Sequence, residues 1–544
     1  MKSSRILNKY FRGTMLLIAA TLMSCDQEFL DEKPLGVPNS DVILVDKGGF
    51  ESAITALHIA TRELYFYPDG SRMNSFWLGT DVAYTGDRGL ADFENYESWL
   101  TPIQLSVEFY WNLAYLDIIP RANTIIEHAD SENAIWENEE EKNAIIAEAR
   151  FFRGFAFNLL ANLYGGVPIV DQIYKTPKTD FVRNTRQEVY EFVKEDLEYA
   201  SQWLPVEAPL DGRIERGAAN HLLAEVYISL ENYDAAIESA SEVIESPRYQ
   251  LMTERFGNYL DEPGDVYADL FKDENQNRSS TSNTETIWAL QFEYQTPGGT
   301  AGGAKWYSNG WLRAWGPKWW DIKDPEGNPG MQLTIDSLGR GVAWVHPSAY
   351  FYDGIWEEAP DDMRNSEFNI KRKYYYNNPD SPFFGEKVDP TRVAVDTMVQ
   401  YYPMIMKIEP QLYPEGPTYG RAFKDTYVMR LAETYLLRAE AYLRKGDLAS
   451  AAADINVIRK RANAEVIKPE DVDIDYILDE RARELIIEEP RRLTLNRMGL
   501  LAERVRKYNP ESGASVQNYH NLYPIPLSAI DANTDAVLEQ NPGY

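Results

Sequence analysis

Seven of the 13 tryptophans fall between 306 and 356: Trp306, Trp311, Trp315, Trp319, Trp320, Trp344 and Trp356. From 306 to 320 their spacing follows neither the period of a strand nor that of a helix, so they do not mark one face of a regular element. Gly310, Arg313, Gly316 and Lys318 are interspersed. An indole on a glycine-rich loop offers a flat apolar surface to the C–H face of a pyranose ring, while nearby polar groups take its hydroxyls. The chemistry is non-covalent capture of a sugar. The competing reading is that the rings form the core of their own segment, since large aromatics supply most burial per residue. The expectation is that more than half of the seven are structural and at least two line a ligand surface, with Trp306, Trp311, Arg313, Trp315, Trp319 and Trp320 as candidates.

A second loop, 72–87, carries Trp77 and Tyr84 with Arg72, Asn74, Asp81 and Asp87. Asn74, Trp77, Asp81 and Tyr84 are expected to join the tryptophan cluster in one exposed aromatic groove. Alternatively, Asp81 caps a turn and Trp77 packs beneath it. Catalysis has less support. His58, His128, His221, His346 and His520 show no metal-ligand spacing. No G-x-S-x-G and no phosphate-cradling glycine loop is present. A glycosidase needs only two carboxylates, and 85 acidic residues neither deny nor identify such a pair. The protein is read as a non-enzyme without a cofactor. A structural calcium held by carboxylates and carbonyls stays compatible with the composition, although no EF-hand-like loop occurs.

The only cysteine, Cys25, closes the apolar run 15–24, which follows Lys2, Arg5, Lys9 and Arg12. A basic start, a short apolar stretch and a small residue before the cut make residues 1–24 a secretory signal peptide. Leu22–Met23–Ser24–Cys25 looks like a bacterial lipobox, which makes Cys25 a lipidated mature N-terminus that holds the protein on a membrane outside the cytoplasm. The formal net charge of −31 becomes −35 once the four cationic residues of 1–24 are removed. Such a surface repels nucleic acid and anionic headgroups. It also disfavours strongly anionic glycans unless it is countered locally. With no second thiol there is no intramolecular disulfide, so stability must come from core burial.

The elements that must position these residues are mostly helical. Residues 25–40 read as an extended tether. Helical periodicity covers 45–66, 104–129, 139–164, 185–203, 216–231 and 233–246, then 425–445, 447–464 and 475–506. Ala224–Glu225–Val226–Tyr227 and Ala439–Glu440–Ala441–Tyr442 match at an offset of 215 residues, as do Asn232 with Asp447 and Ala236 with Ala451. Each copy reads as helix, tight turn and helix, resembling a tetratricopeptide-type hairpin. Between about 262 and 422 glycine and proline break the pattern, and short strand-like runs occur at 286–290 and 404–408. The predicted organisation is one domain over 41–544, an all-α scaffold over about 41–261 and 423–544 with an irregular insertion between.

Several motifs in order resemble the SusD/RagB family of outer-membrane nutrient-uptake lipoproteins. They include Phe29–Leu30–Asp31–Glu32–Lys33–Pro34 after Cys25, and Ala147–Glu148–Ala149–Arg150–Phe151–Phe152–Arg153 leading to Leu163–Tyr164–Gly165–Gly166–Val167–Pro168. Arg430–Leu431–Ala432–Glu433, Glu480–Arg481–Ala482–Arg483–Glu484–Leu485 and Tyr523–Pro524–Ile525–Pro526 follow. The resemblance implies a tetratricopeptide-like scaffold. It also implies a non-catalytic role in binding oligosaccharides, or in some members peptides, as a lid over a TonB-dependent transporter barrel in the outer membrane. It assigns no ligand residues, because binding loops vary in the family. Glu488–Glu489–Pro490–Arg491–Arg492 departs from the family pattern and is expected to alter local packing.

Overall fold

Helix boundaries in the computed structural model follow the caps written in the sequence. The longer helices are α1 (Lys47–Phe66), α2 (Leu105–Asn112), α3 (Ile119–Ala129), α4 (Glu139–Tyr164), α5 (Arg186–Trp203), α6 (Arg216–Ser229) and α7 (Tyr233–Ile244). After the insertion come α8 (Leu431–Lys445), α9 (Leu448–Arg461), α10 (Ile474–Leu485), α11 (Arg491–Met498) and α12 (Leu501–Tyr508). Asn138 caps α4 by accepting from Glu141 N at 2.8 Å, and Glu139, Glu140 and Glu141 place negative charge at that helix's positive end. Thr185 and Glu188 form a reciprocal capping box at the start of α5. The structure describes residues 40–66, 74–87, 93–294, 296, 309–409, 420 and 422–544. Cys25, the signal segment, the tether up to residue 39, Arg72 and Trp306 lie outside them.

Neighbouring helices stack in series: α4 on α5, α5 on α6, α6 on α7, α7 on α8 and α8 on α9. The offset-215 match corresponds to two hairpins, α6–α7 and α8–α9. Asn232 caps α7 through Ala235 N, and Asp447 caps α9 through Ser450 N. Each cap follows a left-handed residue, Glu231 at φ 59° and Gly446 at φ 85°. Glycine adopts that conformation without strain, whereas Glu231 does so at a cost. The repeated alanines are fully buried, and Ile228 and Ala236 share one apolar cluster with Leu437 and Ala441. The two hairpins therefore bury each other's small-residue faces, although the insertion separates them in sequence.

Two expected helices are corrected. In 425–445 the first part is a strand, Thr426–Arg430, paired antiparallel with Thr286–Leu290. Its β-branched and aromatic residues favour an extended backbone, and helix begins at Leu431. The expected 475–506 helix is three pieces, α10, α11 and α12. Ile487 takes φ 71°, Pro490 disfavours helix in the residue before it, and Gly499 ends α11 at φ 71°. Within 104–129 the chain turns through a π-helical stretch, Leu113–Ile118. The run 404–408 is a two-residue strand followed by a 3-10 turn.

The insertion is joined to the scaffold by charge as well as by the strand pair. Arg430 pairs with Glu285, Glu484 and Glu488, and Arg461 with Glu285 and Glu484. Arg364 holds Asp362 at 2.6 Å, Glu480 at 2.8 Å and Glu484 at 3.0 Å. All these groups are buried. Such burial is tolerable only where every charge meets an opposite one, and it then fixes the segments in register. Leu44–Tyr544 forms one compact unit, and Ser40–Ile43 is a short helix. Among the described residues no helix is long and apolar enough to cross a membrane.

Candidate functional site

The loop 74–87 is built inward. Trp77 has no exposed surface and donates Nε1 to the Glu489 carbonyl at 2.7 Å. Its ring meets Trp311 and Trp315 edge-on, both at 5.9 Å between centroids. Asp81 is fully buried and accepts from Arg491 at 2.7 and 3.0 Å and from Arg504 at 3.0 Å. Arg492 donates to the Ser75 and Leu78 carbonyls at 2.7 and 2.6 Å. Glu489, Arg491 and Arg492, from the segment that departs from the family pattern, thus clamp this loop. Asn74 is buried, and its carbonyl accepts from Trp77 N and Leu78 N. Tyr84 stacks on His346 at 4.9 Å, and burial pushes its phenol up to about 12.

The expected exposed groove is corrected accordingly. Asn74, Trp77, Asp81, Tyr84, Trp311, Trp315 and Trp319 are all buried. Their rings and charges are already taken by the protein, so they offer no face to a ligand. Trp319 donates to the Gly339 carbonyl at 2.8 Å from within the core. Aperiodic spacing misled here because the core under the insertion is assembled from irregular chain, where burial has no period.

Among the described tryptophans of the 306–356 cluster, two keep part of their surface exposed while packing against the core, Trp320 and Trp344. Each carries a guanidinium over its ring: Arg340 lies 5.0 Å from Trp320 and Arg313 5.3 Å from Trp344. Backbone pairing fixes the arrangement. Val342 N donates to the Arg313 carbonyl and Ala343 N to Gly316, each at 2.9 Å. Trp320 Nε1 donates to the Gly341 carbonyl at 2.8 Å. The two chains approach so closely that a Cβ on Gly341 would stand 2.1 Å from the Gly316 carbonyl oxygen. Asp87 N bonds Ala343, and the Asp87 carboxylate pairs with Lys318 at 3.0 Å. The loop 74–87 thus reaches this surface through its end. Burial, then repulsion from Arg340, lowers the Arg313 pKa.

Of the sequence candidates, Trp320 and Arg313 belong to this surface. Trp344 stood in the tryptophan cluster without being singled out, and Arg340 was missed; the one signal for it is a cation between Gly339 and Gly341. Planar apolar rings with N–H donors at their rim suit a ring-shaped ligand bearing many oxygens.

Buried titrating groups elsewhere are structural. Burial lowers Lys407 and Lys424 to about 8 and raises Asp425 to about 7. Lys424 Nζ is spent on the carbonyls of Phe271, Lys407 and Glu409 at 2.7, 2.6 and 2.9 Å. Among the described residues no group of carboxylates, histidines or thiols has metal-binding geometry.

A stack of helical hairpins carrying an aromatic, loop-built surface defines a class of helical-repeat binding scaffold. Residues 269–544 match the family model described as the SusD family, and the chain belongs to that family. Residues 72–228 match a model described as starch-binding associating with outer membrane, and 218–248, the α6–α7 hairpin, match a tetratricopeptide repeat. A SusD-like protein of Formosa agariphila is 24% identical over 94% of each chain. The starch-binding protein SusD of Bacteroides thetaiotaomicron is 28% identical over 73% of this chain and 72% of its own. A laminarin-binding SusD-like protein superposes with a TM-score of 0.68 at 22% identity, covering 92% of this chain and all of that one. The surface glycan-binding protein A of Bacteroides thetaiotaomicron, solved with laminarihexaose, does so with a TM-score of 0.68 at 19% identity, covering 91% and 100%. These structural likenesses establish a common fold.

Proposed function

We propose that the protein is a cell-surface glycan-binding lipoprotein. It captures oligosaccharide or polysaccharide without catalysis and delivers it to a TonB-dependent transporter barrel. The observation that carries the reading is the pair of partly exposed indoles, Trp320 and Trp344, each beside a guanidinium and held by close backbone pairing. The names of the relatives, which bind starch and laminarin, support it. Acylation of Cys25 would hold the chain on the outer membrane facing outward, with residues 25–40 as the tether. Capture by stacking and hydrogen bonds gives roughly micromolar to millimolar dissociation constants, about 4–8 kcal/mol. A permanent lid on a barrel buries above ~2,000 Å², so mild detergent extraction from native membranes should recover both proteins together.

The test is retention in affinity gels containing neutral and acidic polysaccharides. The parent protein should be retarded by at least one. Trp320→Ala and Trp344→Ala should abolish that retardation while each variant still melts cooperatively. Retention by no polysaccharide, together with binding to a peptide panel, would replace this reading by peptide uptake. Release of new reducing ends would replace it by a glycosidase.

A further inference from the structure

We propose that the insertion carries a second sugar-contacting surface on the hairpin 374–388, where Tyr375 and Phe384 stack on further rings of the same glycan chain. The inference rests on the glycan-binding reading above and extends it from one contact surface to two, so that the ligand is a long chain. The starting point is what the fold leaves uncovered. The chain has 13 Trp, 35 Tyr and 21 Phe, and among the described residues four aromatic side chains are exposed: Tyr174, Phe368, Tyr375 and Phe384. Tyr174 already packs with Phe181 and Lys178. Tyr375 and Phe384 keep 51% and 59% of their surface. Among the described residues neither of these two rings meets another aromatic ring or a cation, and the Tyr375 hydroxyl makes no hydrogen bond.

The hairpin fixes both rings in place. Tyr376 N donates to the Glu386 carbonyl at 2.9 Å, Gly385 N to the Tyr376 carbonyl at 2.8 Å and Val388 N to the Tyr374 carbonyl at 2.9 Å. Tyr375 stands opposite Lys387 in this antiparallel pair. Side chains alternate between the faces of such a pair, and directly opposed residues share a face. Tyr374, Tyr376 and Val388 are accordingly buried, while Tyr375 and Lys387 are exposed. Phe384 N donates to the Ser381 carbonyl at 3.1 Å and Gly385 takes φ 80°, so Phe384 sits in a closed turn. The hairpin is strapped to the segment that continues from Trp320. The Ile322 carbonyl accepts from Gly330 N, and the Gly330 carbonyl from Asn378 N, each at 3.2 Å. Ser381 Oγ donates to Asp324 Oδ2 at 2.7 Å.

Area and chemistry select a sugar as the occupant. A large aromatic side chain contributes about 150–250 Å² when fully covered, so two rings that are half exposed offer about 200 Å². A stable protein interface needs about 800 Å² from each partner. The hairpin falls well short of that and suits the face of one or two sugar rings. The Tyr375 hydroxyl and the Lys387 ammonium place hydrogen-bond donors beside the rings, where sugar hydroxyls can accept them. Two weak contacts joined by one glycan chain reinforce each other. At a local concentration of about 1 mM and a dissociation constant of about 0.1 mM for each surface, the second contact tightens binding about tenfold.

The experiment uses the full mature chain and the polysaccharide that retains it most strongly, both whole and as its disaccharide. Affinity gels measure binding of the whole polysaccharide. Disaccharide binding is read from tryptophan fluorescence, which follows the Trp320–Trp344 surface because the hairpin contains no tryptophan. The parent should bind the whole chain about tenfold more tightly than the disaccharide, and Tyr375→Ala and Phe384→Ala should each remove most of that gain. Both variants should leave the fluorescence titration unchanged and melt with the parent, and Tyr375→Phe should keep most of the gain. Polysaccharide binding by both alanine variants equal to the parent's would overturn the proposal and leave the glycan-binding reading standing. Undiminished polysaccharide binding with loss of a co-extracted barrel protein would assign the hairpin to a protein contact and also overturn it. An altered fluorescence titration would overturn the separate surface, since the hairpin would then act through Trp320 and Trp344. Retention of the parent by no polysaccharide would overturn the proposal and the reading beneath it together.

Discussion

Replacing Asp81 by Asn tests whether the 74–87 loop is scaffold or ligand surface. The Asp81 carboxylate receives three guanidinium N–H groups inside the protein, two from Arg491 and one from Arg504. Burial alone would raise its pKa, but Arg491 and then Arg504 outweigh that and hold it below the usual carboxylate value. An amide keeps the shape, loses the charge and turns an NH2 group toward guanidinium donors. Arg504 would keep Asp475 and Asp479 at 2.7 and 2.9 Å. Arg491 would keep Glu489 at 3.3 Å and the Leu478 carbonyl at 3.0 Å. The loss therefore falls mainly on Arg491. Removing one partner of a buried ion pair costs about 3–5 kcal/mol, and the remaining partners of Arg504 place this case near 3 kcal/mol. Unfolding entropy of about 2.1 cal/mol/K per residue gives about 1 kcal/mol/K over the roughly 500 residues of the compact unit. The melting temperature in scanning calorimetry should then fall by about 3 °C, with polysaccharide retention at 25 °C unchanged. A variant that melts with the parent but loses retention would refute the reasoning and return Asp81 to the ligand surface.

Trp77→Ala should cost about 3–5 kcal/mol through the cavity it leaves among Phe76, Trp311 and Trp315; Trp320→Ala should lower melting less, and the reverse ranking in calorimetry would contradict the burial pattern. Stability should hold from pH 7 to about 5 and fall steeply between pH 4.5 and 2. Glu148, Glu433 and Glu480 would be raised by burial, but their cationic partners hold them at about 2 against an ordinary 4.5. Groups depressed in the folded state contribute stability above the unfolded value and lose it as pH falls through the folded one; a melting temperature flat down to pH 2.5 would count against those pairs. Cys25→Ala should abolish fatty-acid labelling and release the protein from membranes on salt washing; continued labelling would refute the lipid anchor.

Much of the scaffold was legible because its signals are local. The α4 limits follow from Asn138 and the Gly165–Gly166 stop, and the paired hairpins from alanines and caps repeated at one offset. Strand Thr426–Arg430 was read as helix because its pairing partner lies more than a hundred residues away and no periodicity spans so short a segment. The candidate surface was half legible. Trp320 and Arg313 were named among residues of the same type that turned out to be core. Tryptophan density reports burial demand as readily as ligand demand, and the sequence carries no mark of which ring ends at solvent. Arg340 is marked in the sequence only as a cation between two glycines, since its place over Trp320 comes from the Gly316–Gly341 approach. Arg491, Arg492 and Arg504 fall in the run whose periodicity predicts one helix over 475–506, and nothing in that pattern shows that they hold the 74–87 loop from beneath.

The central claim, that this chain captures glycan on the Trp320–Trp344 surface, is tested most directly by a crystal structure of the protein with an oligosaccharide taken from whichever polysaccharide retains it. The account predicts sugar rings lying against Trp320 or Trp344, with Arg313 or Arg340 within hydrogen-bond distance of their oxygens. Sugar bound at a different face, with these four side chains untouched, would contradict it.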